Sequence, residues 1–255
     1  MNIIDTHTHL YLNQFKEDID DVVASAKEIG VKKFIFPAID SSHFDSMHSL
    51  KNKYPNEIYL MSGLHPTDVK ENYKDELDFV VNSLNGHKCV AIGEIGIDLY
   101  WDKSFLKQQQ EAFIFQIRLA VKHDLPIVIH CRQAFDQIFE ILDKENCDKL
   151  RGIFHCFTGT FEEAQRAIDL GFILGIGGVV TFKNGGIDKF LHKIELKNIV
   201  METDSPYLAP APFRGKRNES SYIIHVLEKL SEIYGISKEK IAEITSKNAE
   251  KVFRL

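Results

Sequence analysis

The 255-residue sequence has little of what marks secreted, membrane-spanning or nucleic-acid-coating proteins. Its four cysteines include no Cys-x-x-Cys pair, which argues against a disulfide framework or a zinc knuckle and favours reduced, buried thiols. No apolar run approaches the roughly eighteen residues that a membrane-spanning helix needs, and the first residues lack the basic start of a secretory signal. Acidic residues (37) outnumber basic ones (31), and the net charge of −6 excludes an overall basic surface that coats nucleic acid. We therefore expect a soluble cytoplasmic protein that does not bind membranes.

The composition is that of a folded enzyme-sized chain. Hydrophobic residues make up 44% and charged residues 27%, which excludes a disordered protein. For a mass of 29.2 kDa, surface scaling predicts that about three quarters of the unfolded chain's surface is buried on folding. No low-complexity segment or linker divides the sequence. We predict a single domain over residues 1–255.

Short β-branched runs alternate with helical patterns along the chain. The eight runs with strand character are residues 2–6, 33–39, 58–63, 89–95, 126–130, 152–156, 172–177 and 198–203. Between them apolar residues recur at helical spacing, and Ser237 is placed to cap the last helix. Eight strands, each followed by a helix, predict an α/β fold, the (β/α)8 TIM barrel. The competing doubly wound sheet lacks its GxGxxG signature after the first strand.

Five of the eleven histidines fall at or just beyond the ends of predicted strands. They are His7, His9, His65, His130 and His155. Because side chains alternate along an extended strand, Asp5, His7 and His9 are expected to share one face. In a barrel the carboxyl ends of all the strands meet at one face, where active sites are built. The sequence therefore predicts that these histidines converge.

Carboxylates join the same predicted ring. Glu94 lies at the end of the fourth strand in GEIGID, and Asp204 follows Glu202 at the end of the eighth in METDSP. Each carboxylate has an ordinary alternative role, such as a salt-bridged core acid or a helix cap. If there were no metal site, these ordinary roles would all have to apply at once, at separate strand ends. Burying several acids and histidines without a cation is costly. We therefore predict that four imidazoles and two carboxylates hold two divalent metal ions (Mg²⁺, Mn²⁺ or Zn²⁺), with Glu94 as the bridging carboxylate.

A basic, proline-rich loop follows the eighth strand. Arg214, Lys216 and Arg217 lie within four residues beside the predicted metals, a pattern typical of a phosphate clamp. The alternative is a solvated basic loop that pairs with the acidic body of the protein. Arg132, directly after the fifth strand, either faces phosphate or bridges to an acid. Aromatic residues near the same face are candidates for stacking on bases: Tyr207, Phe213 and Trp101.

These motifs resemble the TatD family of metal-dependent deoxyribonucleases, within the amidohydrolase-like barrel hydrolases. The resemblance runs from end to end, through DTHTHL (5–10), GLHP (63–66), GEIGIDLYWD (93–102), QQQEAF (108–113), PIVIHCR (126–132), HCFTG (155–159), GIGGVVTFKN (175–184), ETDSPYLAPAPFRGKRNE (202–219) and KNAEKVF (247–253). It implies that His7, His9, His130, His155 and Asp204 are metal ligands, with Glu94 shared between the two ions. The sequence departs from the family at Phe213, where histidine is frequent, and at Ser220, where proline is frequent.

The resemblance further implies 3′–5′ exonuclease action on DNA, with RNA as a second substrate. The substrate would be single-stranded DNA or 3′ ends, cleaved by a hydroxide that two metals activate. Asp204 is then expected to take up the proton of the nucleophile, His65 to donate to the leaving oxygen or contact phosphate, and Glu202 to orient the ligands. Two alternatives stay open. One is a barrel hydrolase of carboxylic ester, amide or aminoacyl-tRNA bonds, and the other is a non-catalytic, metal-stabilised nucleic-acid-binding protein.

Overall fold

The computed structural model describes residues 1–255, and its centre is an eight-stranded sheet whose neighbouring strands are all parallel. The strands follow chain order: β1 (Ile3–Asp5), β2 (Val31–Phe36), β3 (Ile58–Ser62), β4 (Ala91–Asp98), β5 (Ile127–Arg132), β6 (Gly152–Phe154), β7 (Phe172–Ile176) and β8 (Ile199–Met201). The ring nearly closes between β1 and β8, where the Thr6 N–H donates to the Met201 carbonyl at 3.1 Å and Thr8 bridges to Ser205. The predicted TIM barrel is confirmed.

Eight α-helices surround the strands. They are α1 (Ile19–Glu28), α2 (Phe44–Lys53), α3 (Tyr73–Gly86), α4 (Leu106–His123), α5 (Phe135–Glu145), α6 (Phe161–Asp169), α7 (Ile223–Tyr234) and α8 (Lys238–Phe253). The predicted apolar faces are the buried ones, as with Val22, Val23 and Ala26 of α1. The Ser237 hydroxyl accepts the N–H of Lys240 at 3.3 Å, which confirms the predicted cap of α8. None of these helices has the length and apolar character that crossing a bilayer requires.

The expectation of one helix after every strand is wrong after β7. Four short 3-10 turns stand there instead: Gly178–Thr181, Ile187–Lys189, Leu191–Lys193 and Leu196–Asn198. Two glycine pairs, at 177–178 and 185–186, weaken helix formation in this segment. A Cβ at Gly178 would lie 2.2 Å from the Leu208 carbonyl oxygen, so glycine is needed where this segment meets the loop after β8. The chain still has eight helices, because β8 is followed by two of them, α7 and α8.

Strand β4 is longer than predicted, and Glu94 lies inside it rather than at its end. The strand continues to Asp98, and its pairing with β5 shifts register between Ile92 and Ile95. At Gly96, φ is 144°, and a Cβ would stand 2.0 Å from the carbonyl oxygen of His130. Only glycine permits this close approach of β4 to β5. Glu94 and Asp98 are thereby both held beside His130.

A second cluster of apolar side chains lies apart from the main core between strands and helices. Seven strands contribute to it, and α8 adds Ala249 and Phe253. The strand residues are Ile4, Ile35, Met61, Val128, Ile153 and Val200, together with Val90 and Ala91 around the start of β4. Layers of branched side chains from many strands are the usual filling of a TIM barrel. This packing fixes the strands whose far ends carry the polar site.

Candidate metal centre

The carboxylate of Glu94 is the centre of the polar site, and its two oxygens face different histidines. Oε2 lies 2.9 Å from Nε2 of His7 and 3.7 Å from Nε2 of His9. The other oxygen, Oε1, faces three further imidazoles, with distances of 2.7 Å to His130 Nδ1, 3.3 Å to His65 Nε2 and 3.8 Å to His155 Nε2. Glu94 therefore divides the ring of histidines into two groups. The structure brings all five predicted histidines to one place.

Asp204 completes the ring from the end of β8. Its Oδ1 lies 3.5 Å from His9 Nε2 and 3.8 Å from the Nε2 atoms of both His7 and His155. Asp204 has a left-handed backbone (φ 58°), and its N–H donates to the His7 carbonyl at 2.9 Å. Such a conformation is uncommon outside glycine and is held here by the closure of the barrel between β1 and β8.

Outer contacts fix which imidazole nitrogen points inward. The Tyr11 hydroxyl donates to the Pro37 carbonyl at 2.6 Å, so its oxygen accepts from Nδ1 of His9 at 2.7 Å and leaves Nε2 facing Glu94. His130 is turned the other way: its Nε2 contacts Asp98 Oδ2 at 2.9 Å and its Nδ1 faces Glu94. Such partners on the outer nitrogen are typical of metal-binding histidines.

Glu202 supports His155 from behind, as expected for an orienting residue. Its Oε1 lies 2.9 Å from His155 Nδ1 and accepts the N–H of Cys156 at 2.5 Å. The carboxylate is fully buried, and a Cβ at Gly175 would lie only 2.3 Å from its Oε2. The close fit leaves the carboxylate little freedom to move. His155 therefore presents Nε2 to Glu94 and Asp204.

The donor set and its spacing fit divalent cations. Two ligands bound at about 2.1 Å to a tetrahedral ion lie about 3.4 Å apart. The distances of 3.5 Å from Asp204 to His9 and 3.8 Å from Asp204 to His7 are close to that separation. Groups of donor atoms within 4.8 Å of one another include His7, His9 and Glu94; His7, His155 and Asp204; and His65, Glu94 and His130. His65, predicted as a proton donor, thus lies as near the centre as the predicted ligands.

The electrostatics of the centre favour added positive charge. Burial opposes ionisation of Glu94, but the histidines around it outweigh burial and hold its pKa well below the ordinary value. Burial likewise opposes protonation of the imidazoles. Nevertheless Asp98 and Glu94 raise the pKa of His130 to about 8, and Glu202, Glu94 and Asp204 raise that of His155 to about 10. The same carboxylates would stabilise a bound cation, whereas burial and the neighbouring imidazole of His155 lower the pKa of His7.

Asp5 faces away from this ring, contrary to the expectation that it shares a face with His7 and His9. Its carboxylate accepts hydrogen bonds from the N–H and hydroxyl of Thr203, at 3.0 and 2.7 Å, and from the hydroxyl of Ser220 at 2.6 Å. Burial raises the pKa of Asp5 to about 7, although these hydrogen bonds oppose the shift. The reason is that the chain leaves the strand at Asp5, so strand alternation no longer applies beyond it. Asp5 ties β1 to the end of β8.

Three buried side chains that organise the site were missed from the sequence. Asp98 is one; the other two are glutamines of α4. Oε1 of Gln109 accepts the Asp98 N–H at 2.9 Å, and Oε1 of Gln116 accepts the Leu64 N–H at 2.7 Å. These helix side chains hold the loops that carry Asp98 and His65. The signal for Asp98 was its spacing of four residues from Glu94 on one strand, which the predicted end at residue 95 concealed.

The predicted substrate-binding residues differ in their contacts and in their exposure. Arg132 lies over the ring of Tyr100, 3.9 Å from its centroid, and Arg214 lies 3.5 Å from that of Phe182. Tyr207 is half exposed, with its ring 6.0 Å from the ring of His9.

Two members of the basic loop are placed differently. Arg217 is paired with an acidic residue. Its guanidinium contacts both oxygens of Asp18, at 2.6 and 2.9 Å, as in the alternative prediction of a basic loop that pairs with the acidic body of the protein. Lys216 is exposed, 5.8 Å from the ring of Phe213, and Phe213 itself stacks on Tyr222 rather than facing the ring of histidines.

Known proteins match this chain over nearly its whole length. The family model described as "TatD related DNase" matches residues 4–254. The chain is 39% identical to an uncharacterized metal-dependent hydrolase, YabD, of Bacillus subtilis, with 99% of both chains covered. It is 32% identical to the 3'-5' ssDNA/RNA exonuclease TatD of Salmonella typhimurium, again over 99% of both. The crystal structure of the TatD homologue YjjV from Escherichia coli superposes with a TM-score of 0.93 at 28% identity, covering 99% of this chain and 98% of that one. The chain therefore belongs to the TatD family of metal-dependent hydrolases, which act on ester bonds.

Proposed function

We propose that this protein is a 3′–5′ exonuclease that hydrolyses phosphodiester bonds of DNA, and of RNA as a second substrate. The observation that carries the proposal is the position of Glu94, whose two oxygens face separate groups of histidines. That arrangement suits two metal ions that share one carboxylate. A pair of ions is a recurrent device for phosphodiester hydrolysis. The TatD relative in Salmonella typhimurium, named as a ssDNA/RNA exonuclease, supports the same substrate class.

The chain's own residues divide between two ion sites. One would be held by His7, His9, Asp204 and Glu94, and the other by Glu94, His130 and His155, with His65 adjacent. When bound, Mg²⁺, Mn²⁺ or Zn²⁺ would lower the pKa of water and stabilise the charge that develops on the phosphate. The mixed imidazole and carboxylate donors are compatible with all three metals.

The exposure of the side chains in the ring supports a choice of the groups that meet the substrate. His7 is fully buried, whereas the side chains of Asp204, His65 and His130 retain 12%, 13% and 17% of their exposure. Asp204 is therefore the ring carboxylate best placed to take up the proton of the attacking water. His65, on the same open side, is placed to donate a hydrogen bond to the phosphate or to the departing sugar oxygen.

Two arginines supply positive charge for phosphate. Of the seven arginines in the chain, five contact a carboxylate within 3 Å; the two that do not are Arg132 and Arg214. Both lie in segments that follow a histidine or carboxylate of the ring, and both guanidinium groups rest on aromatic rings. Free guanidinium groups at a reaction centre favour a phosphodiester over a neutral carboxylic ester or amide.

Digestion of a 5′-labelled oligonucleotide tests the proposal. In Mg²⁺, Mn²⁺ or Zn²⁺ the full-length protein should shorten a single strand from its 3′ end into a ladder, and a chelator should stop the reaction. Arg132→Met combined with Arg214→Met should lower kcat/KM for the oligonucleotide by at least about 10-fold and leave hydrolysis of a small neutral ester unchanged. Intact strands with every metal, together with rapid cleavage of esters or aminoacyl bonds, would overturn it.

A further inference from the structure

Exposed aromatic and apolar side chains are concentrated beside the candidate metal centre. Only six large hydrophobic residues of the chain are exposed, and two of these, Met1 and Phe115, lie at the N-terminus and on the outside of α4. The other four lie on the loops that follow β4 and β8, namely Tyr100, Trp101, Tyr207 and Leu208. Large exposed apolar side chains cost solubility and commonly mark a binding surface. Here both loops flank the same ring of histidines.

The loop after β4 presents a layered aromatic and cationic surface, formed by Tyr100, Trp101 and Arg132. The rings of Tyr100 and Trp101 meet edge to face, with centroids 4.9 Å apart. The Arg132 guanidinium lies 3.9 Å from the Tyr100 centroid and 5.4 Å from that of Trp101, and no carboxylate is within 4.0 Å of it. Trp101 remains 69% exposed, which leaves a face of its indole open for stacking.

This surface is rigidly connected to the centre. The Asp98 carboxylate accepts the N–H groups of Tyr100 and Trp101 at 2.8 and 3.0 Å, and its other oxygen contacts Nε2 of His130 at 2.9 Å. Arg132 lies two residues beyond His130 on β5. A group that stacks on Trp101 therefore occupies a defined position relative to Glu94.

A cleft of only about 40 Å³ adjoins Trp101. Phe105 lines it, and Lys70 stands at its wall, 5.4 Å from the Phe105 ring centroid. The carboxylates of Asp98 and Asp102 also line it, and Lys70 pairs with Asp102 at 3.9 Å. The surface open to a base is therefore the exposed face of Trp101 and not this cleft.

We propose that Tyr100, Trp101 and Arg132 form a stacking subsite for one unpaired base of the strand being hydrolysed. The inference rests on the proposed function and adds a physical cause for a single-strand preference. A base in a duplex is already stacked and paired, so it reaches Trp101 only if the end of the duplex opens. An unpaired base reaches Trp101 freely, while Arg132 contacts the neighbouring phosphate.

Binding can be measured without turnover, because Trp101 is the only tryptophan of the chain. With the metal removed by a chelator, a single-stranded oligo-dT should quench the emission of Trp101 in a saturable titration. An oligomer with the same phosphates but abasic tetrahydrofuran units should quench it weakly. Equal quenching by both oligomers would overturn the proposal. Emission that shifts with protein concentration alone would do so as well, since it would mean that a second copy of the chain covers this surface.

Kinetics provide a second test with a matched control. Trp101→Ala should lower kcat/KM for a single strand by roughly 10-fold or more, as expected for the loss of one stacked base. Phe115→Ala removes another exposed aromatic ring, on the outside of α4, and should leave the rate unchanged. Three abasic units at the 3′ end should slow the wild type by a similar factor and slow Trp101→Ala less than about 2-fold. If base removal slows both proteins equally, the stacking subsite is wrong; if the wild type degrades no strand at all, the proposed function itself fails.

Discussion

Asp98 and His130 are joined by a contact of 2.9 Å between Oδ2 and Nε2, which turns Nδ1 of the imidazole toward Glu94. Both oxygens of Asp98 are in use, because Oδ1 accepts the N–H groups of residues 100 and 101. The carboxylate is almost fully buried. It links the ring of histidines to the aromatic surface, and its charge would make His130 a stronger ligand in the proposed metal centre.

Asp98→Asn is therefore expected to weaken metal binding. An amide has only one acceptor oxygen, so it cannot serve His130 and the loop N–H groups together. Metal affinity should fall by about 10- to 100-fold, as measured by calorimetric titration of the metal-free protein. Asp102→Asn alters a carboxylate of the same loop that accepts the Ser104 N–H and pairs with Lys70 but contacts no histidine of the ring, and it should bind metal like the wild type. Equal affinity in the Asp98 variant would show that His130 needs no carboxylate partner.

Glu94→Gln tests the shared carboxylate. Glutamine keeps the shape of the side chain but offers one neutral oxygen, so it cannot face both groups of histidines as a charged ligand. We expect the rate on labelled single-stranded DNA to fall by more than the roughly 100-fold that loss of an outer partner costs. Metal analysis should show fewer bound ions, while circular dichroism stays that of the wild type. A variant that keeps the wild-type rate would contradict the two-ion account.

Gly175→Ala should disturb His155 through Glu202. The new methyl group would lie 2.3 Å from Oε2 of Glu202, too close for the carboxylate to keep its position, so Glu202 must shift and release Nδ1 of His155. Gly177→Ala is the matched control, since its methyl group would come no closer than 3.6 Å to any Glu202 atom. We expect a kcat at least about 10-fold lower for the first variant and unchanged for the second. Identical rates would mean that Glu202 does not orient His155.

The sequence predicted the barrel and its ring of histidines because both depend on the local spacing of residues along the chain. The series of β-branched strands determines the fold. The ends of those strands determine where His7, His130 and Asp204 meet. What it did not predict depends on packing between distant segments. Asp98 was missed because the end of β4 depends on its pairing with β5, and Asp5 was placed wrongly because its partner Thr203 lies 198 residues away.

Acid pH should loosen the attachment of the C-terminus. Hydrogen bonds from Arg254 and Arg151 lower the pKa of Asp124, just after α4, from 3.8 to about 2. Because the folded pKa is lower than the unfolded one, the contribution of Asp124 to stability is present above pH 4 and is lost as the pH falls toward 2. The difference in Tm between the wild type and Asp124→Asn should shrink over that interval. A difference that stays constant from pH 5 to pH 2 would contradict this assignment.

Arg214 and Arg217 are three residues apart, yet their side-chain contacts differ. Arg217 is bound by both oxygens of Asp18, whereas Arg214 contacts no carboxylate within 4.0 Å and rests on Phe182. Arg214→Met should therefore raise KM for an oligonucleotide by about 10-fold and reduce the dependence of KM on salt, because one phosphate contact is lost. Arg217→Met should leave KM unchanged and lower the unfolding free energy by up to about 1 kcal/mol, the usual limit for a partly exposed ion pair. The opposite pattern would mean that Arg217 leaves Asp18 to bind phosphate, and that the pairing seen here belongs only to the substrate-free protein.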